Sequence, residues 1–336
     1  VKVIEIQGGF GLDHLVAGER PDPEPGYGQV LVRVHAVSLN YRDLLTVRGQ
    51  YNPKQKLPLI PCSDGAGEVI AVGEGVTRCK PGDRVCANFA QRWISGRPTR
   101  DKLRSTLGGP LDGMLAERVV LSEEGVVAVP EHLSDEEAAT LPCAGLTAWS
   151  SLVTEGHLTA GDTVLLQGTG GVSIFALQFA KALGLRTILT SSSDEKLERA
   201  RALGADAGIN YRQTPNWATQ VRELTGGTGV DLVVEVGGAG TLEQSLRAVR
   251  IGGTICLMGV LAGNAVELPL PLIFMQHVRV QGILVGSRED FEAMIRAVTL
   301  HRLHPVVDRV FPFAESRAAF DLMERGGHFG KICIQI

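Results

Sequence analysis

Gly168-Thr169-Gly170-Gly171-Val172 follows the apolar run Thr163–Leu166 and precedes a second apolar run, Ile174–Leu183, which Gly184 closes. Strand, glycine turn and helix in immediate succession leave few folds open. The glycines allow a tight turn and a close approach of the backbone to a bound group. The free N–H groups at the start of the following helix suit a pyrophosphate. The match to G-x-G-x-x-G is incomplete, because Ser173 stands at the third glycine. Glycines serving packing alone are the competing explanation.

The residues beyond the loop narrow the choice. Strand-like Arg186–Ser191 leads to a charged helix, Asp194–Leu203, closed by Gly204. A short strand, Ala207–Tyr211, precedes helix Asn216–Thr225. Val230–Val236 reads as a buried strand, Thr241–Arg250 as a helix, Gly253–Gly259 as a strand and Val278–Val285 as the sixth strand. Strands alternating with helices predict a doubly wound parallel sheet, an α/β fold of the Rossmann type.

The first 125 residues have another texture. Val30–Val37 alternates, then turns through Ser38-Leu39-Asn40-Tyr41-Arg42-Asp43. Gly65–Val72, the strand after Pro81-Gly82-Asp83, Glu117–Leu121 and Val126–Val129 are short and punctuated by Gly and Pro. Such runs predict a β-rich, barrel-like lobe. Phe291–His301 reads as a helix, and the tail Lys331–Ile336 as a strand that must pair with that lobe. The expected division is 1–127 with 288–336 for this lobe and 128–287 for the nucleotide domain. A site is expected in the cleft between two such lobes.

Composition removes other classes. The 336 residues carry a net charge of −4 without long runs of one sign, which argues against a nucleic-acid surface. No apolar stretch reaches the roughly 18 residues that span a membrane. Val1–Ile6 reads as a strand, not a signal peptide, and six cysteines without a C-x-x-C pair suit a reduced, cytoplasmic protein.

With these residues in view, the chain resembles the medium-chain dehydrogenase/reductase superfamily from end to end. The motifs are Leu39–Asp43, Pro61-Cys-Ser-Asp-Gly-Ala-Gly-Glu68, Val72–Val85, Glu137–Trp149 before the glycine loop, and His328-Phe-Gly-Lys-Ile332. The resemblance implies a GroES-like lobe and an NAD(P)-dependent oxidoreductase that acts on a small molecule and forms a homodimer.

Catalytic zinc in this superfamily takes a Cys near the first turn, a His in Gly-His-Glu and a later Cys. Here the first turn offers Asn40 and Asp43, the second motif reads Cys62-Ser63-Asp64, and only Cys143 lands in place. The structural zinc needs four nearby cysteines, and Cys86 stands alone before a basic segment, Ala87–Gly113. Cys62, Asp64 and Cys143 form the one alternative donor set. The expectation is therefore no metal. The chain is similar to the zinc-free quinone oxidoreductases and enoyl reductases, whose Asn-x-x-Asp turn is matched by Asn40–Asp43. An alkene conjugated to a carbonyl accepts hydride at its β-carbon, and the enolate needs only hydrogen-bond donors. The alternatives are an alcohol dehydrogenase of the same superfamily, or a crystallin-like NADPH-binding protein without turnover.

Asn40, Tyr41, Asp43 and Asp64 are the catalytic candidates. Asn40 with Asp43 can equally cap a helix opening at Tyr41. Tyr41 can be the proton donor or a packing residue, and Asp64 an acceptor behind the site or a turn residue. The cofactor is expected against Asn40, Thr147, Gly168, Thr169, Gly170, Gly171, Val172, Gly237, Gly259, Val285, Gly330 and Lys331. An acid at the end of the second strand would select NAD. That place holds Ser191, followed by Ser192, with Lys196 and Tyr211 near, so NADP(H) is expected.

Overall fold

Runs of Val, Ile and Leu without polar alternation become strands buried on both faces: Val164, Leu165, Leu166, Leu232, Val233 and Val234 are all fully buried. The computed structural model describes every residue from Val1 to Ile336. It separates into two compact units, Val1–Leu146 with Val285–Ile336, and Thr147–Leu284. These borders differ from the 127/128 and 287/288 expected from sequence texture.

The second unit holds a six-stranded sheet. Its spatial order is Ala207–Asn210, Arg186–Ser191, Thr163–Gln167, Val230–Glu235, Val249–Leu257 and Arg279–Gly282. All neighbours run parallel. Numbered along the chain this is 3-2-1-4-5-6, the dinucleotide-binding order, with the reversal between Thr163–Gln167 and Val230–Glu235. Helices Gly171–Ala182, Asp194–Ala202, Trp217–Leu224 and Leu242–Ala248 connect the strands. Two expectations are corrected. The helix expected to reach Arg250 ends at Ala248, where Val249 already pairs with Val230. The sixth strand runs only Arg279–Gly282, and Val285 adopts φ 56°, a left-handed conformation that a strand cannot contain.

The first unit is built on a sheet of seven strands. Val307–Pro312, Lys331–Gln335, Gln29–Ser38, Asp64–Val72, Arg84–Ala87 and Val126–Ala128 follow in order, and Arg118–Ser122 pairs with Gln29–Ser38. The C-terminal strand finds the partner expected of it, with Cys333 opposite Ser38 and Ile334 opposite Val37. A core of Val30, Val32, Leu44, Val69, Phe320 and Ile332 lies beneath. Helix Ser316–Arg325 ends at Gly326, whose φ of 65° makes it an ordinary left-handed helix stop. No helix is long and apolar enough to cross a membrane.

Candidate active site

In the first unit, helix Tyr41–Val47 starts at Asn40, and the two halves of the capping box close there: the Asn40 N–H donates to Asp43 Oδ2 at 2.8 Å. Capping does not exhaust Asn40. Its Oδ1 accepts from Lys331 Nζ at 2.6 Å, and the same ammonium donates to the Leu39 carbonyl at 2.6 Å. Its Nδ2 donates to Ser63 Oγ at 3.4 Å. Ser63 in turn donates to Asp64 Oδ1 at 2.6 Å. The other Asp64 oxygen accepts the Cys143 N–H at 2.9 Å, from a π-helical turn, Leu141–Gly145. Such a turn shifts the intrahelical bonding pattern and lets an N–H point elsewhere.

Structure therefore brings Asn40, Asp43, Asp64 and Lys331 into one buried polar nest, with Ser63 at its centre. Tyr41 is not part of the nest; it is 38% exposed and its hydroxyl makes no hydrogen bond. Cys62, beside Ser63, holds φ 70° although it is not glycine. Such strain persists only where the surroundings enforce it, and it gathers at functional sites. The surroundings here are Gly108 and Gly113: a Cβ on Gly113 would lie 2.2 Å from the Cys62 carbonyl oxygen. The 107–109 loop is fixed by Arg42, which donates to the Leu107 carbonyl at 2.6 Å and the Gly109 carbonyl at 3.0 Å.

Burial raises Asp43 to about 6, against the opposing charge of Arg42 and with Asp64 adding to the rise. Burial also raises Asp64, with Lys331 and the Ser63 hydroxyl opposing. An acid raised in the folded state favours folding when protonated. Its cost is absent below about pH 4, the unfolded value, grows as pH rises to 6 and is constant above. Asp43→Asn keeps an acceptor for the Asn40 N–H and cannot ionise. Its stability relative to the parent is expected to be higher at pH 7 than at pH 5. Urea unfolding at both pH values checks this; an unchanged difference would contradict it.

The second unit presents the glycine loop. Gly168 has φ 74° and donates to the Thr190 carbonyl at 2.8 Å, Gly170 is the N-cap, and Gly171 opens the helix. A Cβ on Gly168 or Gly170 would meet nothing within 4 Å, so the loop faces open space. The first-turn N–H groups, on Gly171 and Val172, have no intrahelical acceptors, and Thr169 is buried beside them. Ser173 replaces the third glycine by a bond: its hydroxyl donates to the Gln167 carbonyl at 2.5 Å. These features fit a pyrophosphate.

Ser191 ends its strand buried, and its Oγ accepts the Ser193 N–H at 3.3 Å. Ser193 caps the next helix by accepting the Lys196 N–H. Tyr211 donates its N–H to the Ser191 carbonyl at 3.0 Å and keeps its ring 41% exposed. Asp194, the nearest acid, is occupied by Asn210 and Gln213, each at 2.8 Å. Ser192 and Lys196 are half-buried on the same turn, and Thr147 is buried at the start of this unit.

Sequence reasoning missed the group that ties this unit's loops together. Glu235, fully buried at the end of Val230–Glu235, accepts the Gly237 and Gly238 N–H groups at 2.9 Å and the Thr241 hydroxyl at 2.5 Å. Its other oxygen takes Gln167 Nε2 at 2.7 Å and the Ser245 hydroxyl. Gln167 immediately precedes Gly168, so one carboxylate holds both strand ends at the reversal point. Gly237 and Gly259 also have packing reasons: a Cβ on Gly259 would lie 2.2 Å from the Val236 carbonyl oxygen, and one on Gly237 2.2 Å from Thr241 Oγ1. Gly330, at φ 82°, is closed in by the Val306 carbonyl oxygen in the first unit.

Residues 26–131 match the family described as alcohol dehydrogenase GroES-like domain, and residues 171–299 the family described as zinc-binding dehydrogenase. The chain belongs to the medium-chain dehydrogenase/reductase superfamily. Its homologues make it an oxidoreductase that uses a nicotinamide cofactor. A zinc-type alcohol dehydrogenase-like protein of Schizosaccharomyces pombe is 42% identical over 333 residues, covering 97% of this chain and 96% of the relative. An acryloyl-coenzyme A reductase of Metallosphaera sedula is 29% identical over 324 residues, covering 94% and 95%. The crystal structure of an NAD-dependent alcohol dehydrogenase superposes with a TM-score of 0.92 at 36% identity, over all of both chains. A 2-octenoyl-CoA carboxylase reductase, solved with NADP and 2-octenoyl-CoA, gives 0.88 at 27% identity, covering 96% and 82%.

The medium-chain dehydrogenase/reductase assignment brings the question of zinc, and the donors present do not fit that ion. Both Asp64 oxygens are engaged by Ser63 and Cys143. Burial, with Asp43 and Asp64 adding to it, holds the Cys62 thiol well above the usual thiol range. Burial and Asp64 do the same to Cys143. Cys62, Asp64 and Cys143 do not assemble as a metal-holding group, nor does any other trio of His, Cys, Asp or Glu.

Proposed function

We propose that this protein is a zinc-independent, NADPH-dependent reductase of activated alkenes, including enones and enoyl thioesters, with quinones or other carbonyls as further acceptors. The observation that carries the reading is the polar nest, in which Asn40 and Ser63 stand at the places of two zinc donors and bond to one another and to Asp64. A bound nicotinamide would supply hydride. Gly168–Val172 would hold its pyrophosphate on helix N–H groups, with Ser191, Ser192, Lys196 and Tyr211 around the 2′-phosphate. Asn40, oriented by Lys331, and Thr147 would lie against the nicotinamide ribose. Without a Lewis acid an alkoxide is poorly stabilised, whereas an enolate is served by hydrogen-bond donors. The Tyr41 hydroxyl, exposed and free of hydrogen bonds, is our candidate donor of the proton to the α-carbon. The names of the acryloyl-coenzyme A reductase and octenoyl-CoA complexes support an unsaturated thioester as acceptor.

The alcohol dehydrogenase reading draws on the names of the more similar relatives. Following NADPH absorbance over a panel of enones, enoyl thioesters, quinones and aldehydes, alongside elemental analysis, separates the two. We expect enone turnover that survives chelators, with zinc well below one per chain. One tightly held zinc whose removal abolishes alcohol oxidation would overturn the proposal. Tight NADPH binding with no turnover on the panel would favour the crystallin-like role.

We also propose a cytoplasmic homodimer, its six cysteines all reduced. Strand Arg279–Gly282 is a sheet edge, paired only with Val249–Leu257. Val280, Leu284, Leu270, Phe274 and Met275 are exposed apolar residues of the same unit. An edge of this kind needs cover, and a second copy supplies it across a two-fold axis. Sedimentation should give a dimer. Ile283 donates its N–H to the Leu257 carbonyl, so Gln281 faces the same neighbouring strand and Val280 turns its N–H to the open edge. Val280→Pro should therefore weaken the dimer by removing an edge N–H. A folded, active monomer at all concentrations would rule this out.

A further inference from the structure

The segment between strands Arg84–Ala87 and Arg118–Ser122 carries a concentration of positive charge that nothing in the fold uses. Between residues 92 and 104, Arg92, Arg97, Arg100, Lys102 and Arg104 stand with a single acid, Asp101, in a chain that is acidic overall; the segment's other acids, Asp112 and Glu117, are held by Arg20 and the Lys2 N–H. Two of the five cations are spent locally. Arg92 pairs with Asp101 at 3.1 Å. Lys102 Nζ donates to the Ser95 carbonyl at 2.7 Å and the Arg97 carbonyl at 2.9 Å, closing the tip on itself. Trp93 Nε1 donates to the Gly96 carbonyl at 2.8 Å, and Thr99 caps the short helix Arg100–Leu103. The tip is thus internally braced. Arg97, Arg100 and Arg104 are exposed, and their guanidinium groups make no hydrogen bond or ion pair.

Both ends of the segment are tied to the first unit near the nest. Leu107 and Gly109 are held by Arg42, the neighbour of Asn40 and Asp43, and Gly108 and Gly113 pack on Cys62. On the other side the Trp93 and Ile94 carbonyls accept the Arg288 and Glu289 N–H groups, each at 2.9 Å. Three unspent guanidinium groups therefore stand on a braced segment whose far end packs against the Cys62–Ser63 loop. Arginine presents a planar fork of donors that matches phosphate oxygens, and three such groups lie within eight residues of the chain.

We propose that Arg97, Arg100 and Arg104 bind the phosphates of a coenzyme A carrier, so that the acceptor is an α,β-unsaturated acyl-coenzyme A. This rests on the enone-reductase reading above. Coenzyme A joins its thioester to a pyrophosphate and a 3′-phosphate through a long flexible arm. Its anionic end can then be held away from the reacting carbon, where binding energy from a remote group serves the reaction. The contact is electrostatic and exposed, so it weakens with salt.

Coenzyme A itself, which cannot be reduced, is the probe. Calorimetry should show it binding to the wild-type protein, more weakly at high salt. Arg97→Ala, Arg100→Ala and Arg104→Ala together should weaken it about tenfold or more, with NADPH affinity unchanged. The side chains have no partners to lose, and circular dichroism confirms the fold. Equal coenzyme A affinity in the two proteins, or none in the parent, overturns the proposal. Parallel loss of NADPH affinity does so too, because the arginines would then serve the dinucleotide. Turnover is compared for crotonyl-coenzyme A and crotonyl N-acetylcysteamine, which lacks the phosphates. The triple variant should raise KM for the first alone. If both thioesters are reduced with the same constants by both proteins, the carrier site falls and the reductase reading stands. If neither is reduced while the variant still loses coenzyme A affinity, the reductase reading falls and the carrier site stands.

Discussion

Ser191→Asp is expected to invert the nucleotide preference. The parent should bind NADPH about tenfold more tightly than NADH, a difference of ~1.4 kcal/mol. The variant should prefer NADH by a similar factor, a total swing of about a hundredfold, or ~2.8 kcal/mol. The reason is local. Ser191 is buried at the strand end, where its hydroxyl accepts only the Ser193 N–H. A carboxylate there would accept both ribose hydroxyls of NADH and repel a 2′-phosphate. The existing acid, Asp194, cannot take that part while Asn210 and Gln213 hold it. Titration of both nucleotides against both proteins is the measurement. Equal affinities in the parent, or an unmoved ratio in the variant, would defeat the NADP(H) assignment.

Lys331→Met is expected to be the most damaging single change in the nest, costing about 2–3 kcal/mol of stability, the scale of losing buried hydrogen bonds to a charged donor. The ammonium is buried, and both its acceptors, the Leu39 carbonyl and Asn40 Oδ1, would be left without a donor. Its charge also opposes the rise of Asp64 and Asp43, so both carboxyl groups should shift further upward when it is gone. Denaturant unfolding at pH 7 measures the loss. A cost below about 1 kcal/mol would show that the nest does not depend on this charge.

The two units differ in how far the sequence revealed them. In the nucleotide unit, strand Arg186–Ser191 is found with its expected ends, Thr163–Gln167 within a residue, and helix Gly171–Ala182 ends within a residue of its apolar run. Fully buried parallel strands are unbroken apolar runs, and Gly184, Gly204 and Gly226 close three of the helices, so local composition and architecture agree there. The errors fall where apolar character continues past the hydrogen-bonded element. Val249 and Val285 are both β-branched, yet the first turns from helix into strand and the second takes a left-handed turn, decisions made by their neighbours.

The site divides along the same line. The glycine loop, the serine turn at Ser191–Ser193 and the Asn40–Asp43 cap are contiguous in sequence, and their chemistry follows from spacing alone. The absence of a Cys at the first turn and of a His at Ser63 is equally a matter of residue identity. By itself the sequence thus determined the α/β class, the cofactor loop and the poverty of zinc donors. Only tertiary structure decided that Lys331 orients Asn40 across nearly the whole chain, that Cys143 donates its N–H to Asp64, and that Glu235 joins Gln167 to Gly237. Each is a bond between residues whose separation carries no periodic signal. A single buried carboxylate or ammonium looks the same in sequence whether it faces water or a partner, and only the folded core, by removing water, makes the partner obligatory.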